Sequence, residues 1–175
     1  MERIFLLRAY GDFVIALQAI AKSKRSIHII ASEHLAPLYQ ALNTAAVIPP
    51  LSIEFIPLGI KNGQLNFFTN KHLFSLDTIK QLSLLKSFIK AHPNRDGVDW
   101  VEQGIRIASF NALLGYCFKA VVPEDTNVYQ AFDQWLFNAS TQQNVDWINT
   151  EQASNKSNSI LIFPDARLEK KAITN

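Results

Sequence analysis

The stretch that most constrains the fold is residues 3–20, RIFLLRAYGDFVIALQAI. Its apolar run IFLL predicts a buried strand, because strands covered on both faces carry continuous apolar residues. After Gly11 and Asp12, apolar residues recur at helical spacing, so a helix is predicted to begin close to Asp12. A strand, a glycine turn and an acidic helix start together indicate the first half of a βαβ unit.

Gly11 and Asp12 are predicted at the carboxyl end of this strand, the edge where open α/β sheets bind ligands. Gly11 would supply a turn with positive φ, or let a ligand approach the backbone. Asp12 is either a helix N-cap, worth about 1 kcal/mol, or a general base aimed into the crevice. Chemistry alone favours the cap, although a helix N-terminus also favours the ionised form that a base requires. The single glycine does not fit the dinucleotide-binding pattern G-x-G-x-x-G.

Strands and helices alternate along the rest of the chain. Strands are predicted at 27–30, 52–57, 98–101 and 116–122, and helices at 77–91, 104–114 and 128–138. Ser32 and Glu33 are predicted to cap a further helix that runs to about Asn43. Gly115 is predicted to end the helix at 104–114. This order predicts an α/β fold with a Rossmann-like doubly wound parallel sheet, in which residues 3–7 lie near the centre.

The composition changes after residue 138. Residues 139–159 are rich in Asn, Gln, Ser and Thr and are predicted to form a polar linker. An apolar strand and a charged loop follow at 160–175, which suggest the start of a truncated second domain. The domain prediction is therefore 1–138 for the first domain, 139–159 for the linker and 160–175 for the second.

Charge and cysteine content exclude several classes of protein. A net charge of +2 over 175 residues gives no argument for nucleic-acid binding. Cys117 is the single cysteine, so no internal disulfide framework forms, and its apolar neighbours predict a buried filler. The four histidines lack metal-ligand spacing, and His28 is expected to be a satisfied strand residue. With no signal peptide and no membrane-length apolar run recognised, a cytoplasmic location is predicted.

Glu102 and Arg106 stand four residues apart near a strand-to-helix junction. Such a pair could bind a ligand, but more often forms an exposed ion pair along a helix. The exposed pair is therefore the prediction.

Four stretches of the chain resemble the heptosyltransferase family, the inverting glycosyltransferases of family 9 with the two-domain GT-B architecture. The first, RIFLLRAYGDFVIALQAI, resembles that family's opening strand, glycine-aspartate turn and first helix, and is the most specific. The others resemble a later strand-helix-strand segment, the helix before the interdomain linker and the start of the second domain: VDWVEQGIRIASFNALLGYCFKAVV, EDTNVYQAFDQWLF and SILIFPDARLEKKAITN.

The resemblance implies an N-terminal, acceptor-type half of a GT-B fold. It implies metal-independent, inverting transfer from a nucleotide sugar such as ADP-heptose to a saccharide or lipopolysaccharide-core acceptor, with no cofactor and no nucleic acid. Such a domain serves lipopolysaccharide biosynthesis and would be inactive without its donor domain. Contact with the membrane surface and pairing of two copies are compatible with it. The alternative is a non-catalytic α/β domain that binds a saccharide or a protein; a flavodoxin-like domain fits less well, because no glycine-rich phosphate loop is present.

The family resemblance also implies roles for individual residues. Asp12 would be the base, and Gly11 would lie against the substrate. Arg8 could help to hold the leaving diphosphate, which needs cations or helix N-termini. This role for Arg8 comes from the chemistry of sugar transfer and not from the family; the plainer interpretation of Arg8 is a charge at the end of a strand.

The second-domain stretch of the family lies near the donor diphosphate. Here that places Arg167 with Lys170 or Lys171 at the diphosphate; the plainer interpretation of these three is a solvated loop. One departure is that Ala172 and Ile173 stand where the family usually has tryptophan and proline.

Overall fold

The computed structural model describes residues 1–7, 10–58, 76–102, 107–121 and 128–137. Its strands are β1 (Glu2–Leu6), β2 (Ile27–Ser32), β3 (Ile53–Ile56), β4 (Asp99–Val101) and β5 (Lys119–Ala120). Its α-helices are α1 (Tyr10–Ser23), α2 (Ala36–Thr44), α3 (Leu76–Ala91), α4 (Ile107–Leu114) and α5 (Val128–Phe137), and a short 3₁₀ helix, Glu33–Leu35, precedes α2. In this described part of the chain, no helix combines the length and apolar character needed to cross a membrane.

All the described strands join one parallel sheet in the order β3-β2-β1-β4-β5. β1 lies at the centre, which confirms the sequence prediction. The chain winds outwards from β1 through β2 to β3, then returns to the other side of β1 for β4 and β5. The winding direction therefore changes between β1 and β4, and this is the topological switch point of the sheet.

The two faces of the sheet are covered by separate apolar clusters, because successive residues of β1 point to opposite faces. Ile4 and Leu6 pack in the cluster that includes residues of α1 and α5, among them Phe13 and Phe132. Phe5 and Leu7 pack in the other cluster, with residues of α3 and α4 such as Leu85 and Phe110. The residues of the IFLL run are fully buried. Burial on both faces explains why this strand is continuously apolar, and the doubly wound α/β prediction is confirmed.

A buried ion pair joins β1 to β4 at the amino end of the sheet. Arg3 and Asp99 are register partners and are only 5% and 3% exposed. Arg3 donates Nε–H to Asp99 Oδ1 at 2.8 Å and Nη2–H to Oδ2 at 2.6 Å. Asp99 also accepts bonds from Asn94 Nδ2 at 2.7 Å and from the Tyr116 hydroxyl at 2.6 Å.

Burial, hydrogen bonds and charges in this network shift the pKa values of its members. Burial alone raises the pKa of Asp99, but the hydrogen bonds from Arg3, Tyr116 and Asn94 together bring that pKa below its ordinary value. The hydrogen bond to Asp99 raises the pKa of Arg3 despite burial. Burial and the bond to the Asp99 carboxylate raise the pKa of Tyr116. The network therefore favours a charged pair and a neutral tyrosine.

The entry to α2 differs from the sequence prediction. Ser32 is the last residue of β2 and makes no side-chain cap bond, and the chain passes through the 3₁₀ turn before α2 begins. The hydroxyl of Ser32 donates instead to the backbone oxygen of Leu7 at 3.0 Å. The predicted cap is wrong because a contact across the sheet, invisible in local sequence, takes the hydroxyl.

The strand predicted at 116–122 is reduced to the two residues of β5. Asn111 of α4 satisfies both backbone groups of Phe118: its Nδ2 donates to the Phe118 oxygen and its Oδ1 accepts the Phe118 N–H, each at 3.0 Å. Phe118 therefore needs no strand partner. Cys117 beside it is exposed, so the prediction of a buried cysteine is wrong.

Other local predictions are confirmed. Gly115 follows α4 with a φ of +63° and donates its N–H to Asn111 O at 2.9 Å, as a C-terminal glycine does. His28 is a satisfied strand residue, with Nδ1 2.7 Å from Ser52 Oγ and Nε2 3.5 Å from Glu54. The predictions for 139–159 and 160–175 lie outside the described residues.

Candidate functional site

The candidate site lies at the carboxyl ends of β1, β2 and β4. Leu7 ends the buried run of β1, Ser32 ends β2 and Glu102 directly follows β4. The first turn of α1 begins three residues after Leu7 and brings Gly11 and Asp12 to the same edge. Because β1 and β4 flank the switch point, this is the edge where an open α/β sheet binds a ligand.

Asp12 is the third residue of α1, inside its first turn and half-buried. Tyr10 and Gly11 are already helical, so the N-cap prediction for Asp12 is wrong: a cap residue precedes the helix. The carboxylate nevertheless lies where the helix N-terminus favours negative charge. That environment suits a proton acceptor, the second of the two interpretations of Asp12.

Gly11 is exposed and helical, and its φ is not positive. The prediction of a positive-φ turn at this residue is therefore wrong. A Cβ added to Gly11 would meet no described atom within 4 Å beyond its own neighbours. The other interpretation remains: the missing side chain leaves the backbone open to an approaching ligand.

Two buried side chains hold Leu7 from opposite sides. Glu102 Oε1 accepts the Leu7 N–H at 2.9 Å, and the Ser32 hydroxyl donates to the Leu7 oxygen at 3.0 Å. The Glu102 N–H also donates to the oxygen of Phe5 at 3.1 Å. Glu102 is only 2% exposed, so the prediction of an exposed ion pair fails at this residue; Arg106 lies outside the described residues.

Sequence reasoning missed this arrangement, although one signal was available. Ser32 and Glu102 each stand at the end of a short buried strand, and the carboxyl ends of parallel strands meet at one edge. A polar residue at such a position is a better candidate for a site than for a helix cap or an exposed pair.

An aromatic pair lies at the same edge. Tyr10 begins α1 and is 45% exposed. Its ring meets the half-buried imidazole of His34, from the 3₁₀ turn, edge to face with 5.4 Å between ring centroids. The pair offers a ligand an accessible aromatic surface two residues from Asp12.

The other predicted site residues lie outside the described residues: Arg8, Arg167, Lys170 and Lys171. Of the predicted set, the structure thus places Gly11 and Asp12 together at the carboxyl edge. Within the described ranges, no group of three or more His, Cys, Asp or Glu side chains is arranged to hold a metal ion.

The arrangement combines a half-buried carboxylate, an open stretch of backbone and an accessible tyrosine around the exit of a rigid central strand. These groups can accept a proton from a hydroxyl and bind a ring with one apolar face. Comparison of the chain with known protein families, with curated proteins and with solved structures gave no match.

Proposed function

We propose that this chain is the acceptor-type domain of a heptosyltransferase-like glycosyltransferase, with Asp12 as the general base. The observation that carries the proposal is the position of Asp12: half-buried, in the first turn of α1, directly after the central strand and beside the switch point. The Rossmann-like α/β fold supports it, because the resembling family uses such a domain. The opening stretch also resembles that family's glycine-aspartate segment, at Gly11 and Asp12.

The chemistry assigned to Asp12 is proton transfer. The acceptor hydroxyl oxygen forms a bond to C1 of the donor sugar while the bond from C1 to the phosphate oxygen breaks. The hydroxyl proton goes to the Asp12 carboxylate, and the nucleoside diphosphate leaves with the bonding electron pair. Cations would stabilise that leaving group, a role for which Arg8, Arg167, Lys170 and Lys171 are candidates.

The aromatic pair fits a saccharide acceptor. One face of a pyranose ring presents C–H groups, which pack favourably on an aromatic side chain while the hydroxyls bond at the ring's edge. Tyr10 is an exposed aromatic residue in the same first turn of α1 as Asp12, and its ring contacts that of His34. We therefore expect Tyr10 to contact the acceptor saccharide.

The test uses the chain joined in frame to the donor domain of a heptosyltransferase, assayed for transfer from ADP-heptose to a lipopolysaccharide-core oligosaccharide. Asp12→Asn keeps the size of the side chain and removes the base, so transfer should fall by about two to four powers of ten. Asp12→Ala should fall as far. The matched control is Asp96→Asn, an exposed loop residue, which should keep full activity.

Full transfer by folded Asp12→Asn would reject the assignment of the base. Absence of transfer by the unmutated fusion would reject the glycosyltransferase itself and favour the alternative, a non-catalytic domain that binds a saccharide or a protein. The exposed ring of Tyr10 suits that alternative as well, since binding needs no base. In that case Asp12→Asn should leave oligosaccharide binding to the 175-residue chain unchanged.

A further inference from the structure

The hydrogen-bond ladder of the sheet ends just before Leu7. On one side the β1–β2 register ends at the pair Leu6 and Ala31, and on the other the β1–β4 register ends at Phe5 and Val101. The backbone of Leu7 therefore has no strand partner in either register. Side chains take over at this point: Ser32 from β2 bonds the oxygen of Leu7, and Glu102 from the end of β4 bonds its N–H.

The two bonds restrain the same residue from opposite directions. Both side chains are buried, at 0% and 2% exposure for Ser32 and Glu102, and such groups are costly to bury without good hydrogen bonds. Glu102 Oε1 accepts the Leu7 N–H at 2.9 Å, which is the length of a well-formed hydrogen bond. Leu7, the residue that follows β1, is thus restrained by two hydrogen bonds, although it lies beyond the last register pairs of the sheet.

The next element begins only a few residues after Leu7. α1 starts at Tyr10, three residues on, and Asp12 lies in its first turn. Because so few residues separate them, we expect a displacement of Leu7 to shift the start of α1 and Asp12 with it. A misplacement of about 1 Å in a reacting group can cost about a hundredfold in rate.

We propose that Ser32 and Glu102 are positioning residues: they restrain Leu7, the residue that follows β1, and thereby fix the position of the first turn of α1 relative to the ligand. The inference rests on the proposed function in one respect, since the group that they aim is Asp12. The restraint on Leu7 itself is independent of any activity and is tested separately.

The first experiment measures the restraint in the 175-residue chain by NMR. Glu102→Gln keeps an acceptor oxygen of the same reach, whereas Glu102→Leu removes it at similar volume. Hydrogen exchange at the Leu7 amide should accelerate at least tenfold in Glu102→Leu and stay near the unmutated rate in Glu102→Gln. The amide signals of Tyr10 and Gly11 should shift in the leucine variant alone. Glu33→Leu, which removes an exposed carboxylate at the same edge, is the matched control and should leave all three signals in place.

The second experiment measures transfer by the fusion described above. Glu102→Leu should lower kcat by about a hundredfold, because the base is misplaced. The acceptor KM should rise as well, since Tyr10 lies in the same turn as Asp12. Glu102→Gln should restore kcat to within a fewfold and keep the unmutated pH profile. Ser32→Ala should lower kcat in the same way but less, since a neutral hydrogen bond is lost; it also serves as the test variant if Glu102→Leu does not fold.

Three results would overturn the inference. One is a folded Glu102→Gln as inactive as Glu102→Leu, which would make the charge of Glu102 part of the chemistry. Another is a folded Glu102→Leu with full activity. The last is a hydrogen-exchange rate of the Leu7 amide that stays unchanged in both Glu102→Leu and Ser32→Ala. If the unmutated fusion transfers no sugar, the proposed function fails, while the Leu7 signal still decides whether the restraint exists.

Discussion

The buried network at the amino edge gives a sharp test of what holds β1 to β4. Replacing Asp99 by alanine removes the acceptor of four hydrogen bonds, two from Arg3 and one each from Asn94 and Tyr116. Arg3 then keeps its bond from Nη1 to the His92 oxygen at 2.8 Å, but its charge stays buried without a counter-ion. The substitution thus measures the free-energy cost of leaving one buried guanidinium group without its carboxylate partner.

Removal of one partner of a buried ion pair typically costs about 3 to 5 kcal/mol. We expect this range for Asp99→Ala, because both partners are almost fully buried and the bonds are short. For a chain of this size the loss corresponds to a fall in Tm of roughly 10 °C. Replacing both partners, Arg3→Met with Asp99→Leu, should recover most of the loss, since no charge is then stranded.

Urea unfolding followed by tryptophan fluorescence measures these differences. A loss below about 1 kcal/mol in Asp99→Ala would refute the idea that the pair is buried and unscreened. A double variant as unstable as Asp99→Ala would show that the cost does not come from the stranded Arg3 charge. Asp96→Asn, in the exposed loop before β4, is the control and should change stability by less than about 0.5 kcal/mol.

The same network sets the acid response. The pKa of Asp99 is lower in the folded chain than its ordinary value, so its contribution to stability is complete above that ordinary value, near pH 4. The contribution is lost as the pH falls through the lowered folded pKa. Between neutral pH and acid, unmutated protein should therefore lose more stability than Asp99→Ala, which lacks this group.

Two further predictions concern single residues. Gly115→Ala should destabilise the chain by about 1 to 2 kcal/mol in the same urea assay, because φ is +63° while an added Cβ has open space around it; an unchanged midpoint would contradict the strain. Tyr10→Ala should weaken oligosaccharide binding by about 2- to 10-fold in calorimetric titration while Tyr10→Phe keeps it, since the ring and not the hydroxyl makes the contact. Equal affinities for Tyr10→Ala and unmutated chain would remove Tyr10 from the site.

The sequence predicted the fold best in segments whose burial requires a continuous or periodic apolar pattern. The IFLL run of β1 and the apolar spacing of α1 and α3 follow from packing on a sheet, so local pattern sufficed for them. The alternation of strands and helices then predicted a doubly wound parallel sheet. The central position of β1 was accordingly predicted and is confirmed.

The site was less readable because its decisive contacts join residues far apart in the chain. The bond from the Leu7 N–H to Glu102 spans 95 positions, and local spacing around Glu102 favoured an exposed ion pair along a helix over a ligand contact. In the same way, local sequence assigned Ser32 to a cap and residues 116–122 to a strand. A hydroxyl bond across the sheet and the side chain of Asn111 decide those two places instead.

The central place of β1 has a consequence for how the protein is made. Arg3 and Asp99 are 96 residues apart, so β1 leaves the ribosome long before the strand that completes its second side. At roughly 5 to 20 residues per second, this interval lasts about 5 to 20 s. During that time β1 can pair with β2, but its other edge, which includes the buried residues Ile4 and Phe5, stays open to other chains. Slower translation between β1 and β4 lengthens the exposure, so the yield of folded protein should depend on codon choice and chaperone supply across that interval.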